Sequence, residues 1–324
     1  MIALLFLLIS GTAFAQDVVC TLPWLGDLTA RLAPEARITV LARGGEDPHY
    51  LSPTPALMAK VGQADLYVEV GLNLEMWSAR LLDGAGNPGI RSGQPGYVLA
   101  SEGVPRLEVP TVISRAQGDM HPEGNPHIWL DPLNAPIVAD NIAAGLGRID
   151  PDNAVAYKVR AAGFRQQVYG RLFGADLIEF MGGDLLDRLA RSGKLHAFLE
   201  SKGLDDRLGG WMAAASGLRG QPIVFYHQSW AYFVERFGLN VVGYVEDRPG
   251  ISPSAAHRDR LVASMNAADV RRVGITVYYD DRLARVVASE TGASAVTLPG
   301  DVGATSDAAD WFALIDVLIR DMGP

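Results

Sequence analysis

The sequence predicts an α/β protein with two lobes, each a mostly parallel sheet flanked by helices. Short runs of branched and aromatic residues alternate with segments of helical periodicity in both halves of the chain. Near the middle, a helical pattern runs from Asp152 to about Phe180, which is longer than an ordinary crossover helix. Alternating strands and helices favour parallel sheets covered on both faces, and we interpret the long helix as the rigid connection between the lobes.

The predicted elements follow this plan from one end of the chain to the other. The first half contains predicted strands at 18–22, 37–41 and 66–70, and predicted helices at 25–32, 55–63, 75–82 and 133–149. The second half contains predicted strands at 222–226, 241–245, 273–278 and 295–298, and predicted helices at 229–237, 254–267, 282–291 and 308–322. We therefore divide the chain into a first lobe at 16–151, a linking helix at 152–181 and a second lobe at 182–324. Gly163, Gly170 and Gly174 are points where the linking helix could break.

The amino terminus predicts export. Residues 1–15 carry no charge and combine an apolar run with small residues that end in Ala13-Phe14-Ala15. This pattern is typical of a secretory signal peptide cleaved after Ala15, although the positive segment that usually precedes the apolar run is missing. The apolar run is shorter than the roughly 20 residues that span a bilayer. We expect a periplasmic protein whose lone cysteine, Cys20, forms no disulfide within the chain and lies buried in a strand.

Composition and motifs favour binding over catalysis. The hydrophobic fraction of 48% and the charged fraction of 20% are ordinary for a globular protein, and the net charge of −9 argues against nucleic acid as a partner. The sequence has no His-Glu-x-x-His motif, no phosphate-binding loop and no Gly-x-Ser-x-Gly elbow.

The stretch Gly124–Pro132 holds a histidine rigidly. Asn125-Pro126 and Asp131-Pro132 bracket His127, and each proline restricts both its own backbone and that of the preceding residue. A rigid imidazole suits a metal ligand, since one ring nitrogen must point in a fixed direction. Alone, such a histidine is more often a capping or packing residue, so other residues must support the interpretation.

Three further side chains follow predicted strands at the end where ligands bind in open α/β sheets. His49 follows the second strand, His227 follows the first strand of the second lobe, and Asp301 follows the last strand. Together with His127, they would meet in a cleft between the lobes, and this combination of imidazole and carboxylate suits zinc. Asp280 and Asp281 also follow a strand, and spacing alone does not choose among the three carboxylates.

Several segments together resemble the zinc- and manganese-binding substrate-binding proteins of bacterial ABC metal importers. They occur in the family's order over nearly the whole mature chain: Gly45–His49 with Pro53–Pro55, Ala64–Leu66, Gly71–Glu75, Asn125–Pro132, Val224–Trp230, Gly250–Ser254 and Glu290–Ala293. The resemblance implies one metal between two lobes that are joined by a rigid helix.

The resemblance also implies a ligand set and a partner. It assigns metal-ligand roles to His49, His127 and His227, and it favours Asp301 over Asp280 and Asp281. A histidine at the third position resembles the zinc-type site, whereas manganese-type members commonly have glutamate there. No long histidine-rich loop precedes His127, which leaves His121 in the polar loop 114–123 as a modest substitute.

The function predicted from these residues is capture of Zn(II) and its delivery to an ABC permease at the inner membrane by a non-enzymatic monomer, with a periplasmic metallochaperone as a further partner. One alternative within the same import class is a Mn(II)- or Fe(II)-binding protein, because selection among these metals depends on supply and geometry as well as intrinsic affinity. A second alternative is an exported zinc hydrolase, which would use three histidines and an open water position.

Overall fold

The computed structural model describes residues 15–111, 121–248, 251 and 253–323. The signal-peptide prediction therefore falls almost entirely outside the described residues. Among the described residues, no helix combines the length and the apolar character that crossing a bilayer requires.

The first lobe is built on a four-stranded parallel sheet with the order β2-β1-β3-β4. Its strands are β1 (Asp17–Cys20), β2 (Arg37–Val40), β3 (Leu66–Glu69) and β4 (Tyr97–Leu99). Its helices are α1 (Pro23–Leu32), α2 (Pro55–Val61), α3 (Ser78–Ala85) and α4 (Asn134–Ile149). Cys20 is fully buried at the end of β1, where burial raises the pKa of its thiol to about 12.

Five helices lead from the first lobe to the second sheet: α5 (Ala154–Phe173), α6 (Ala175–Met181), α7 (Gly183–Arg191), α8 (Leu195–Lys202) and α9 (Gly210–Ala214). The long helix α5 has 20 residues, which corresponds to about 30 Å. It ends where Gly174 takes a φ of +83°, a conformation that favours glycine. A Cβ atom added to Gly174 would also lie 2.7 Å from the Cα atom of Gly209, so the two backbones approach too closely for a side chain.

The second lobe repeats the parallel arrangement with the order β6-β5-β7-β8. Its strands are β5 (Pro222–Phe225), β6 (Asn240–Tyr244), β7 (Arg272–Thr276) and β8 (Ser294–Leu298). The accompanying helices are α10 (Ala231–Phe237), α11 (Ala255–Ala267), α12 (Arg282–Thr291) and α13 (Trp311–Met322). Two parallel sheets flanked by helices, with a long helix between them, confirm the predicted fold class.

The two lobes share one apolar core, which fixes the loop around His127. The indole of Trp129 stacks on Trp24 of α1 at 5.7 Å between ring centroids, and the Nε1 of Trp311 in α13 donates a hydrogen bond to the Trp129 carbonyl. All three tryptophans are almost completely buried. Side chains on the loop are therefore held by residues from both ends of the chain.

Candidate metal centre

Four histidines lie together between the lobes, and three of them are the predicted ligands. The ring centroid of His49 lies 5.6 Å from that of His127 and 6.4 Å from that of His227. His49 follows β2 of the first sheet and His227 follows β5 of the second, so the cluster joins the carboxyl ends of both sheets. The fourth member is His121, whose ring centroid lies 5.2 Å from that of His49.

Two of the predicted ligands sit in the same local structure, an Asx-Pro-His turn. In Asp47-Pro48-His49, the aspartate Oδ1 lies 3.1 Å from the His49 backbone nitrogen and 2.6 Å from its ring Nδ1. In Asn125-Pro126-His127, the asparagine Oδ1 lies 3.0 Å from the His127 backbone nitrogen and 2.9 Å from its Nδ1. One side-chain oxygen thus fixes both the turn and the orientation of each ring.

The third predicted ligand is oriented by a carboxylate from a neighbouring strand. The Nδ1 of His227 lies 2.8 Å from the Oε2 of Glu246, which follows β6, and both side chains are about 10% exposed. An ionised carboxylate only accepts hydrogen bonds, so Glu246 favours the tautomer in which Nδ1 carries the proton. In all three rings the Nδ1 side faces an oxygen, which leaves Nε2 as the nitrogen available to a metal.

The histidine cluster combines an unsatisfied ring nitrogen with a small cavity. The Nε2 atom of His127 is buried without a hydrogen-bond partner among the described residues, an arrangement that costs free energy unless something binds there. The other three histidines of the cluster line a cavity of about 140 Å³. Its walls are three imidazoles, two carboxylates and two tyrosine rings: His49, His121, His227, Asp47, Glu246, Tyr50 and Tyr279.

The histidine side chains lie close together but are not yet arranged to hold a metal ion. As the side chains stand, no group of three or more His, Cys, Asp or Glu residues in the described parts of the chain has the arrangement to hold a metal ion. The Nε2 atoms of His49 and His121 nevertheless lie 3.2 Å apart, near the separation of about 3.3 Å expected for two nitrogens bound to one tetrahedral zinc. Binding at this cluster therefore requires rotation of some of the rings.

Burial keeps two of the rings neutral. Burial lowers the pKa of His127 well below 6.5, and repulsion from charge on His49, His121 and His227 lowers it further. Burial and the nearby His49 and His227 lower the pKa of His121 to about 4. At neutral pH both rings therefore keep the lone pair that a metal binds.

Asp301 lies at the boundary of the lobes and is 7% exposed. Its Oδ1 accepts hydrogen bonds from the backbone nitrogens of Trp24 and Val302 at 3.0 and 2.6 Å, whereas no hydrogen bond from the described residues reaches Oδ2. Burial raises the pKa of this carboxyl well above its ordinary value, and the two backbone donors offset only part of that effect. A nearby cation would compensate for such burial.

Asp301 is connected to the histidine cluster through Trp129. The Nε1 of Trp129 donates a hydrogen bond to the Gly300 carbonyl at 2.9 Å, and the Trp129 ring lies 5.3 Å from that of His127. Asp301 is not among the residues that line the 140 Å³ cavity, and it makes no hydrogen bond to the histidines in the described structure. Its assignment as a ligand stays a prediction.

The rival carboxylates are paired with arginines at the surface. Asp280 forms a hydrogen-bonded ion pair with Arg282, and Asp281 pairs with Arg285 one turn along α12. All four side chains are exposed or nearly so. Each carboxylate already has a cation beside it, so neither requires a metal ion to compensate its charge.

Sequence reasoning missed the residues that orient the rings and underestimated His121. The repeated Asx-Pro-His pattern at 47–49 and 125–127 was a usable signal, because a short side-chain oxygen two residues before a histidine can accept from its backbone. Glu246 and His121 offered no such signal, since they reach the cluster only through the tertiary fold.

Asp47 allows a direct test of ring orientation. We expect Asp47→Ala to weaken metal binding by about 10–100-fold, the usual cost of losing an outer partner of a metal-bound histidine. Glu46→Ala is the matched control, because the neighbouring Glu46 is exposed and faces only Arg43 at 3.7 Å. Equal affinities of the two variants in a competition titration would show that the Asp47–His49 contact does not prepare the site.

A family model described as "Zinc-uptake complex component A periplasmic" matches residues 18–170 and 202–322. The chain belongs to this family. Both Asx-Pro-His turns, His227 and Asp301 lie within the matched residues. The family consists of uptake-system components rather than enzymes.

The names of individual relatives mention different metals. The manganese ABC transporter substrate-binding lipoprotein scaA of Streptococcus gordonii is 31% identical over 147 residues, which are 44% of this chain and 44% of the relative. The high-affinity zinc uptake system protein ZnuA of Brucella abortus is 25% identical over 167 residues, 52% of this chain and 39% of the relative. The alignments thus span less than half the length of either relative.

Solved structures match the fold of this chain over almost its whole length. A crystal structure of a ZnuA deletion mutant with zinc bound superimposes with a TM-score of 0.70, covering 95% of this chain and 96% of the other. Sequence identity in that alignment is 21%, so the likeness shows the fold alone.

Proposed function

We propose that this protein is a periplasmic solute-binding protein that captures Zn(II) and delivers it to an ABC permease at the inner membrane. The observation that carries the proposal is the set of three histidines whose Nδ1 atoms face oxygen acceptors while Nε2 is left for a metal. The proposed ligands are His49, His127, His227 and Asp301. Family membership supports an uptake role.

Three imidazoles and one carboxylate favour zinc. Imidazole suits Zn(II), whereas Mn(II) is better matched by carboxylate, carbonyl and water oxygens. A Mn(II)- or Fe(II)-binding protein of the same import class is the second candidate, and the manganese transporter lipoprotein among the relatives favours it. A zinc hydrolase is less consistent with the proposed ligand set, because a fourth protein ligand closes the position that catalytic water occupies.

The delivery step has a direct test. The zinc-loaded protein should stimulate ATP hydrolysis by its ABC permease reconstituted in liposomes, whereas the metal-free protein should not. Stimulation that is independent of zinc, or that needs Mn(II) instead, would contradict zinc delivery.

The exported form would begin at Gln16 after cleavage behind Ala15, act as a monomer and receive zinc from a periplasmic metallochaperone.

The domain division remains part of the proposal. We place the first lobe at 16–151, the linking segment at 152–181 and the second lobe at 182–324. The first sheet lies within Asp17–Leu99 and the second within Pro222–Leu298, which supports a boundary in the intervening helices. Helix α5 ends at Phe173, so the linking segment would consist of α5 and the short α6.

The carboxylate assignment can be separated from its rivals. We expect Asp301→Ala to weaken Zn(II) binding about tenfold or more, because it removes a buried carboxylate whose Oδ2 accepts no hydrogen bond from the described residues. Asp281→Ala should leave the affinity unchanged, since Asp281 is paired with Arg285. The reverse pattern in competition titrations would remove Asp301 from the ligand set.

Zinc affinity should depend on pH through the histidines. Protons and zinc compete for the same imidazole lone pair, so affinity falls as pH falls. Because the pKa of His127 is lowered well below 6.5 and that of His121 to about 4, these rings resist protonation below pH 6.5. We expect the zinc affinity to change little just below pH 6.5 and to fall steeply as the pH approaches about 4, where these buried rings begin to bind protons. Constant affinity over that range in chelator-buffered titrations would contradict histidine ligation.

A further inference from the structure

His121 occupies a position that the proposed ligand set does not use. Its ring lines the 140 Å³ cavity, and its Nε2 lies 3.2 Å from the Nε2 of His49. Its ring centroid lies 6.4 Å from that of His127. Its distances to His49 and His127 therefore match those that separate His49 from His127 and His227.

A metal ion between the Nε2 atoms of His49 and His121 fits their contact better than a hydrogen bond between the two rings does. Because the Nδ1 of His49 faces the Asp47 carboxylate, the neutral ring carries its proton there and turns the lone pair of Nε2 toward His121. A hydrogen bond between the rings then requires the proton of His121 on Nε2. That tautomer leaves the buried Nδ1 of His121 as an acceptor to which none of the described residues donates.

A metal between the two Nε2 atoms would favour the other tautomer of His121. His121 would then carry its proton on Nδ1. The backbone of Leu72 and Asn73 lies beside the ring and favours its protonated form, although Nδ1 makes no hydrogen bond to a described residue in the present structure. Leu72 and Asn73 have φ values of +55° and +59°, so they form a left-handed turn beside the ring. A small ring rotation would give His121 a backbone anchor comparable to those of His49 and His127.

We propose that His121 is an alternative fourth zinc ligand that competes with Asp301, so that the site can hold zinc with four imidazoles. This proposal rests on the proposed function and extends it. Tetrahedral zinc has four positions, and His49, His127, His227, His121 and Asp301 make five donors. His121 lines the cavity together with His49 and His227, whereas Asp301 is not among the lining residues.

An imidazole-only arrangement has a consequence for metal choice. Mn(II) prefers oxygen ligands. A site that can replace its one carboxylate by a fourth imidazole therefore offers Mn(II) fewer oxygen ligands. His121 would therefore help to determine specificity, in addition to strengthening zinc binding. Its removal should reduce the ratio of zinc to manganese affinity.

A double-mutant cycle on the full mature protein tests the proposal. The four proteins are the wild type, His121→Ala, Asp301→Ala and the double variant, each titrated with Zn(II) against a chelator. We expect His121→Ala to cost two- to threefold in the wild-type background, where Asp301 fills the fourth position. The same substitution should cost at least a further tenfold in the Asp301→Ala background, because no fourth protein ligand then remains.

The cycle has a matched control and a spectroscopic readout. His196→Ala removes a half-buried histidine of α8 and should be neutral in both backgrounds. X-ray absorption of zinc-loaded Asp301→Ala should show four imidazoles. Three imidazoles with a water oxygen, or a double variant no weaker than Asp301→Ala, would overturn the role of His121. If the wild type itself lacked a tight zinc site, the proposed function would fail together with this inference.

Discussion

The His127→Ala variant is expected to bind Zn(II) more than a hundredfold more weakly than the wild type. His127 is almost completely buried, and its Nε2 atom has no hydrogen-bond partner in the part of the chain that the structure describes. Removing a metal ligand should reduce zinc affinity more than removing a residue that hydrogen-bonds to a ligand, for which losses of about 10–100-fold in affinity are usual.

The measurement is a zinc titration in competition with a chelator of known affinity. His196→Ala, which changes a histidine on α8 outside the cluster, controls for unspecific effects of losing an imidazole. Thermal unfolding of the metal-free variants would show that both are folded. Unchanged zinc affinity of folded His127→Ala would remove His127 from the ligands and with it the central residue of the proposed site.

The Arg236→Ala variant is expected to lose about 3–5 kcal/mol of unfolding free energy, the usual cost of leaving one charge of a buried ion pair without its partner. The guanidinium of Arg236 in α10 donates from Nε and Nη2 to the two carboxylate oxygens of Asp131, at 2.7 and 2.8 Å. Both side chains are only 7% exposed. The pair fastens the second lobe to the loop that carries His127.

Urea denaturation of the metal-free protein measures this effect. Arg320→Ala is the control, because Arg320 pairs with Asp307 and Asp321 at the surface and its loss should leave the midpoint unchanged. Replacing both partners, Asp131→Leu with Arg236→Met, should recover much of the loss, since no lone charge then remains buried. A fully stable Arg236→Ala protein would show that the pair does not hold the lobes together.

The fold was largely predictable because its signals are local. The inner strands β1, β3, β5 and β7 are short runs of mostly buried residues. Helix α12 begins and ends where its periodicity predicts, at Arg282 and Thr291. Strand β4 was missed because it has only three residues after a passage rich in glycine and proline. Helices α7 and α8 are separate, because Gly193, with a φ of +68°, interrupts the helical segment between them.

The candidate site was predictable only in part. His49, His127 and His227 follow strand ends or rigid proline turns, and those local features place them in the cleft. Glu246 and His121 enter the cluster through contacts between residues distant in the chain, which no local pattern encodes. The choice of Asp301 depends on burial and pairing, which distinguish it from the exposed, arginine-paired Asp280 and Asp281 only in three dimensions.

The central claim is that the histidine cluster is one tight zinc site. Its most direct test is titration of the metal-free mature protein with Zn(II) in competition with a chelator of known affinity, repeated with Mn(II). We predict one tight zinc site per chain and much weaker manganese binding, because imidazole nitrogens dominate the donors. The absence of a tight zinc site, or a clear preference for manganese, would contradict this account.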